Sequence, residues 1–308
     1  MSNYNAPYDY EFINLYNSAR NPSSIHTRNT SLFNYFVRYL LKKVISVLDF
    51  ENTPETWAMN YFKYVLFGYG YLAIFDSGKY GVIPQQCMIS DTRTIFYQPK
   101  EAIITNPVFN QSKRLEIGKE CELLKLQPDY TSIMDIVTTY ADLMAICLET
   151  AGINLINSKT SMIFFAEDKA VAETYKKVFD KVNSGEPMVV ADKKLQSVDG
   201  VKNWEVFTQN VGQNYITSNI LDDMKTLEDQ FNTRVGIPNA NTQKRERLIS
   251  SEVMANDVDT KALVNLWLDT LNDDIIKVNK RYNLNLKVKY RYDNYYNDEV
   301  NEEVVVNG

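Results

Sequence analysis

Residues 130–157 form a long, almost uninterrupted apolar stretch, and this stretch constrains the fold more than any other part of the sequence. Its length predicts a helix of about seven turns. Three acids break the apolar pattern at a spacing of seven, which places Asp135, Asp142 and Glu149 along one side of that helix. Carboxylates are too costly in a lipid core, so the stretch predicts a buried helix and no membrane span. The acidic stripe is either a solvated face of that helix or a wall facing a channel or a neighbouring subunit.

The charge balance limits the kinds of partner. Against 33 Lys and Arg stand 39 Asp and Glu, a formal net charge of −6. Non-specific affinity for nucleic acid over the whole surface is therefore not expected, and any contact with DNA must be local. The cysteines Cys87, Cys121 and Cys147 are far apart and there is no signal peptide, which favours core packing in a reducing compartment over a disulfide framework.

The N-terminal half predicts an arm, two helices and a small mixed lobe. Residues 1–27 have no sustained period and are predicted to form an arm. Apolar residues then recur at helical spacing, and we predict one helix over 28–53. A second helix is expected from Pro54, in its first turn, to Gly68 at its end. The following short extended runs are YLAIF, KYGVI, RTIFY, EAIIT and ECELLKL, with a hairpin turn at Gly78.

The C-terminal half predicts an inserted α/β unit at 157–210 and two further helices. Within the insert, the segments MIFFA, PMVVAD and VKNWEVFT are predicted to be extended, and a helix is predicted between the first two. A helix over 211–236 is terminated by Gly236 and Pro238, because Gly accepts the left-handed conformation and Pro cannot continue a helix. A polar loop at 237–258 separates it from a helix that begins at Asp259 or Thr260. The strand LKVKYRY follows with a basic outer face, before an acidic tail at 294–308. The fold class is α+β.

The sequence lacks the usual signs of an enzyme. His26 is the only histidine and lies in the predicted arm, which argues against histidine-based catalysis and His-rich metal sites. There is no phosphate-binding Gly-Lys-Ser/Thr loop. The adjacent pairs Asp222/Asp223 and Asp273/Asp274 are interpreted as ordinary surface charge. We expect no enzyme activity, no cofactor and no metal, although a carboxylate-metal site assembled from distant residues, as in a nuclease or NTPase, stays open.

The polar loop carries a basic cluster, KRER, in an acidic protein. Taken alone, Lys244, Arg245 and Arg247 are interpreted as solvated side chains that pair with nearby acids. Its flanks carry a second signal. The segments TRVGIPNANTQKRERLISSEVMANDVD and NKRYNLNLKVKYRYD resemble the portal protein, or upper-collar head-to-tail connector, of small short-tailed phages. A second match, VLDFENTPETWAMNYFKYVLFGYGYLAIF, lies near the start, and the resemblance covers roughly residues 28–293.

The resemblance implies a mainly helical stem with a small α/β clip insert and a mixed α/β wing. Its parts, in chain order, are an arm at 1–27, a first stem helix at 28–53, wing at 54–128, stem at 129–156, clip at 157–210, stem at 211–236, channel loop at 237–258, wing at 259–293 and crown at 294–308. Twelve subunits would form a ring at one capsid vertex of the virion, assembled in the host cytoplasm. The implied partners are double-stranded DNA, major capsid and scaffold proteins, the packaging motor and lower-collar or tail proteins.

In such a ring the basic loop faces DNA. Lys244, Arg245 and Arg247, less Glu246, bring about +2 charges per subunit and about +24 per ring close to the phosphates. Asn239 and Asn241 belong to the same loop. Acids of the stem would repel the duplex and keep it sliding, the candidates being Asp135, Asp142, Glu149, Asp222 and Asp229. The arm has only Arg20 where relatives can be strongly basic. The alternative is a head-tail adaptor or lower-collar protein that forms no channel.

Overall fold

The computed structural model describes residues 22, 24–109, 112–158, 162–166, 169–183, 204–208, 215–238 and 250–293. Helix α1, Thr30–Ile45, begins after Asn29, whose side-chain oxygen accepts a hydrogen bond from the Leu32 N–H at 3.1 Å. The prediction that this helix continues to residue 53 is wrong. Residues Leu48–Glu51 form strand β1, because they pair antiparallel with the distant strand β10, Lys287–Tyr290.

Helix α2, Met59–Tyr69, starts and ends later than predicted. Pro54 lies in a preceding turn, in which its carbonyl accepts the Trp57 N–H at 3.0 Å. Gly68 is inside the helix, and Gly70 is the residue that ends it, with φ of 91°. A side chain at Gly70 would meet the Thr131 carbonyl oxygen at 2.5 Å, so close packing as well as backbone conformation requires glycine there.

A lobe of two small antiparallel sheets follows. The strands are β2 Tyr71–Asp76, β3 Val82–Gln85, β4 Met88–Ile89, β5 Glu101–Ile104, β6 Lys113–Glu116 and β7 Cys121–Lys125. The first sheet has the order β3-β2-β7 and the second β4-β5-β6. The turn predicted at Gly78 is confirmed, with φ of 73°. The core of the lobe consists of Ala73, Phe75, Cys87, Ala102, Ile104, Cys121 and Leu123.

One strand predicted in this lobe does not form. The segment RTIFY reverses direction instead, and the Thr94 N–H donates to the Gln98 carbonyl at 2.8 Å. Tyr97 adopts φ of 58°, a left-handed conformation that no extended strand contains. The strands β4 and β6 were not predicted, because each is short and lacks a clear alternation.

Two long helices carry much of the remaining core. Helix α3, Met134–Asn157, confirms the predicted apolar helix but begins after Tyr130, which has φ of 62°. By length and composition it is the one helix in the described part of the chain that could cross a membrane, a test that buried core helices also pass. The last helix in the described residues, Ser250–Tyr282, begins nine residues before the predicted Asp259, since residues 250–258 contain no Gly or Pro to stop it. Its Trp267 is fully buried against Phe67, with ring centroids 6.1 Å apart.

Contacts divide the chain into two compact units, residues 1–146 with 224–308, and residues 147–223. The second unit contains β8, Met162–Ala166, paired antiparallel with β9, Trp204–Thr208, and helix α4, Lys169–Asn183, which packs on β8. These confirm the predicted strand MIFFA, the helix after it and the extended piece near Trp204. The predicted strand PMVVAD lies outside the described residues. Helix α5, Thr217–Arg234, starts in this unit and ends in the first, and the helix Ser250–Tyr282 is α6.

Candidate nucleic-acid interface

The predicted channel loop leaves α5 at a fixed point. Gly236 has φ of 77°, and the Ile237 N–H donates to the Asn232 carbonyl at 2.8 Å, which is the hydrogen bond of a Schellman cap. The Tyr290 hydroxyl of β10 donates to the Gly236 carbonyl at 2.6 Å in a buried contact. The predicted end of the helix at Gly236 is therefore confirmed. The start of the loop is held to strand β10 by the hydrogen bond from Tyr290.

The basic residues of the loop lie outside the described part of the chain. This applies to Asn239, Asn241, Lys244, Arg245 and Arg247 alike. The description resumes at Ser250, where α6 begins. The loop predicted over 237–258 is thus shorter than expected at its C-terminal end.

The acids of α3 do not form one solvated stripe. Asp142 is 2% exposed, and its carboxylate accepts hydrogen bonds from the Thr27 N–H at 3.2 Å and lies 2.8 Å from His26 Nδ1. The interpretation of Asp142 as solvated or channel-facing is wrong, because a segment 115 to 116 residues away covers it. Asp135 is partly buried, and burial raises the pKa of its carboxyl. Glu149 is also partly buried.

The acids of α5 differ in exposure. Asp222 is exposed and Asp229 is partly buried. Between them, Glu228 accepts hydrogen bonds from Lys43 Nζ and from the Tyr39 hydroxyl, both at 2.5 Å. Burial and the bond to Glu228 raise the pKa of Tyr39 to about 12. Sequence reasoning missed this group, since its members lie 185 to 189 residues apart.

The two acids of the pair Asp273/Asp274 have different environments. Asp273 is exposed, but Asp274 is 1% exposed, so its interpretation as surface charge is wrong. Asp274 accepts hydrogen bonds from the Lys125 N–H at 3.2 Å and from Lys277 Nζ at 2.9 Å. Burial raises the pKa of its carboxyl. Nowhere in the described ranges do three or more His, Cys, Asp or Glu side chains come together as metal ligands.

Comparison with known proteins decides the family. The family model described as Phage Connector (GP10) matches residues 16–295. The chain belongs to this connector family. Two solved structures are similar to this chain. The portal and tail of native bacteriophage P68 gives a TM-score of 0.44 at 14% identity, covering 87% of this chain and 94% of that one. An HK97 family phage portal protein from Corynebacterium diphtheriae gives 0.42 at 10% identity, covering 87% and 96%.

Membership of the family identifies the connector as a structural, non-enzymatic component of the virion. It is an oligomeric portal protein at the junction of head and tail, with capsid and tail neighbours. The resemblance stated from sequence is confirmed at this level, as is the α+β fold class.

The positive charge predicted along the outer side of strand β10 is largely neutralised by ion pairs. The alternation is confirmed, with Val288 and Tyr290 buried and Lys287 and Lys289 exposed. Lys289 pairs with Glu51 of β1, and Arg291 Nε donates to Asp49 Oδ2 at 2.9 Å. The Arg291 bond lowers the pKa of the Asp49 carboxyl. This strand therefore offers less free positive charge to a polyanion than its sequence indicates.

Proposed function

We propose that twelve copies of this connector form a ring at one capsid vertex, through which double-stranded DNA is packaged and later ejected. The observation that carries the proposal is the family match, which runs over residues 16–295 and so includes the basic loop and both helices flanking it. Head and tail would be joined through the same ring.

The loop provides the chemistry for contact with DNA. Lys244, Arg245 and Arg247 would bind DNA phosphates, and the release of counterions from the DNA would drive that binding. Contacts to phosphates do not depend on the base sequence, as a channel that passes a whole genome requires. The Schellman cap at Gly236 and the first turn of α6 at Ser250 supply two ordered ends for the loop.

The acids of the stem would keep the contact weak. Asp222 is the best placed of the five candidates, since it is exposed on α5. Asp135, Glu149 and Asp229 are partly buried and would contribute less to the potential in a channel. Asp142 is withdrawn from this set because it is already bound inside the chain.

The roles of the other parts follow the family pattern as proposals. The insert at 157–210 would be the clip facing the packaging motor and the lower-collar or tail proteins. Residues 54–128 and 259–293 would be the wing, in contact with major capsid and scaffold proteins, and 294–308 would be the crown.

End-on electron micrographs of the purified protein test the ring. We expect rings of twelve subunits with a central hole wide enough for duplex DNA. A uniform population of compact dimers, also in the presence of scaffold protein, would contradict the proposal.

A neutralised loop tests the DNA contact. The variant Lys244→Gln/Arg245→Gln/Arg247→Gln should form rings but retain less packaged DNA, because the phosphate contacts are lost. The matched control removes three exposed cations outside the loop, in Lys79→Gln/Lys100→Gln/Lys280→Gln. These three residues lie in the proposed wing, so retained DNA is compared per capsid that contains a ring, and by that measure the control should equal the wild type. Wild-type DNA retention in the loop variant would show that the cluster does not contact DNA.

A further inference from the structure

Helix α1 has an unusual outer face for an acidic protein. The helix contains no Asp or Glu. Its outward residues include Tyr35, Arg38, Tyr39 and Lys42, which are spaced by three, one and three and so share one side. Arg38 and Lys42 are exposed, and neither forms an ion pair within the described part of the chain. The remaining cation of the helix, Lys43, is held by Glu228.

The two tyrosines make this face partly apolar. Tyr35 is 52% and Tyr39 36% exposed, and their rings stack with centroids 6.5 Å apart. Exposed tyrosine beside arginine is typical of the centre of protein interfaces. We call Tyr35, Arg38, Tyr39 and Lys42 the basic face.

Helix α6 carries a face of opposite charge. Leu266, Asp269, Asp273 and Ile276 are all exposed and recur at spacings of three, four and three, along one side of the helix. Leu266 is 42% and Ile276 65% exposed. No cation of the described ranges lies within ion-pair distance of Asp269 or Asp273, and Lys277 is bonded to Asp274 instead. We call these four residues the acidic face.

The two faces match in chemistry and spacing. Arg38 and Lys42 are four residues apart on one helix, as Asp269 and Asp273 are on the other, so each pair of charges spans about 6 Å. Tyrosine rings on one face and Leu and Ile on the other supply apolar surface around the charges. Desolvating both together pairs the cations with the carboxylates and removes the apolar surface from water.

We propose that the basic face of one copy docks on the acidic face of the next copy around the ring. This inference rests on the proposed ring and names the surfaces that form it. Each face carries a single sign of charge, so neither can pair with its own copy across a two-fold axis without repulsion. The contact is therefore heterologous, and a heterologous contact closes into a ring where a self-complementary one stops at a dimer.

Charge reversal tests the contact. A first variant, Arg38→Glu/Lys42→Glu, makes both faces acidic, and a second, Asp269→Lys/Asp273→Lys, makes both faces basic. Each alone should form at least tenfold fewer rings than the wild type, by end-on micrographs and sedimentation at matched concentration. Mixed in equal amounts they should form rings again, because every contact then joins an acidic face to a basic one. The four substitutions combined in one chain should also restore rings.

Matched controls separate charge from position. Reversals at exposed residues outside both faces, Lys79→Glu/Lys100→Glu and Glu55→Lys/Asp91→Lys, should assemble like the wild type. Circular dichroism establishes that every variant is folded.

The outcomes separate this inference from the proposed function. Wild-type rings, observed first, test the ring itself. Rings of normal yield from either reversal variant, with the wild type also forming rings, would overturn the docking while leaving the ring. The same holds if the mixture fails to restore rings. Normal rings that no longer enter capsids would assign the basic face to an acidic capsid surface instead.

Discussion

Two places in the connector join distant parts of the chain through charged side chains, and they do so in different ways. Where α6 packs on β7, the carboxylates are inside: Asp274 is 1% and Glu122 6% exposed. Where β1 pairs with β10, the charges lie at the surface, and the side chains of Asp49 and Arg291 are 32% and 42% exposed.

The difference shows which charges hold the fold. A buried carboxylate has lost its water, so the hydrogen bonds that replace water must all be present. An exposed pair exchanges its bond with solvent at little cost. The two-stranded ribbon of β1 and β10 takes its register from its buried side, where Val288 and Tyr290 alternate with exposed lysines. Its ion pairs add little, whereas those of α6 and β7 are required.

The largest effect is expected at Gly70. This residue lies beside the buried region, because its carbonyl accepts a hydrogen bond from the Leu126 N–H just after β7. Gly70→Ala should lower the free energy of unfolding by about 3 kcal/mol or more, because the new Cβ meets the Thr131 carbonyl at 2.5 Å and φ is 91°. Urea unfolding followed by circular dichroism measures it. Gly68→Ala, inside α2 with no atom within 4 Å of the new Cβ, should instead gain up to about 1 kcal/mol. Equal effects at the two glycines would contradict the assignment.

Asp274 tests the cost of a buried carboxylate. Asp274→Ala leaves the Lys125 N–H and Lys277 without their acceptor and should cost about 3 kcal/mol in the free energy of unfolding. Its exposed neighbour gives the control, and Asp273→Ala should stay within about 0.5 kcal/mol. A small loss for Asp274→Ala would mean that the carboxylate is dispensable to the contact.

Two arginines sharpen the comparison. The Arg281 guanidinium donates to Glu122, to the Lys119 carbonyl and to the Gly118 carbonyl. Lysine cannot reproduce this fork, so Arg281→Lys should cost about 1–2 kcal/mol by the same unfolding measurement. In the ribbon, Arg291→Lys should cost less than about 0.5 kcal/mol, since the pair with Asp49 is exposed. Similar costs would show that burial does not separate the two sites.

The smallest effect is a pH dependence in the ribbon. The hydrogen bond from Arg291 lowers the pKa of Asp49, so its pairing stabilises the fold above the ordinary pKa near 3.8 and is lost as pH falls through the lower native value. Asp49→Asn should therefore be less stable than wild type by under about 1 kcal/mol at pH 7, with the gap closing below about pH 4. Unfolding curves at both pH values measure this. A gap that widens in acid would contradict the pairing.

Features with a local cause were predictable from sequence. The stop of α5 follows from Gly236 and Pro238, and the exposed lysines of β10 follow from strict alternation. Strand β1 was missed because four residues after a helix carry no signal of their own, and their partner strand is more than 230 residues away. Charge gives one case of each kind. Helical spacing from Trp267, Leu271 and Val278 puts Asp274 on the apolar face of α6, so its burial had a signal in the sequence. Nothing in the sequence marks His26 as the residue that covers Asp142.

The candidate site divides along the same line. The family could be predicted from short sequence segments, and the family model confirms it over residues 16–295. The channel loop remains a prediction, because Lys244, Arg245 and Arg247 lie outside the described residues. The basic and acidic faces had a readable signal, a helix without acids and an exposed stripe at helical spacing. The sequence could not show which of these charges are already paired within the chain, and the structure shows that Lys43 and Asp274 are.

The ribbon of β1 and β10 also sets a timetable for synthesis. Arg291 follows Asp49 by 242 residues. At ribosomal speeds of 5–20 residues per second, roughly 12–48 s pass after β1 is made before its partner strand exists. During that interval the backbone N–H and C=O groups of Leu48–Glu51 lack their partner strand, and unpaired groups of this kind allow unfinished chains to aggregate. A ribosome that stalls before residue 287 would therefore release a chain prone to associate wrongly, even with most of its helices complete.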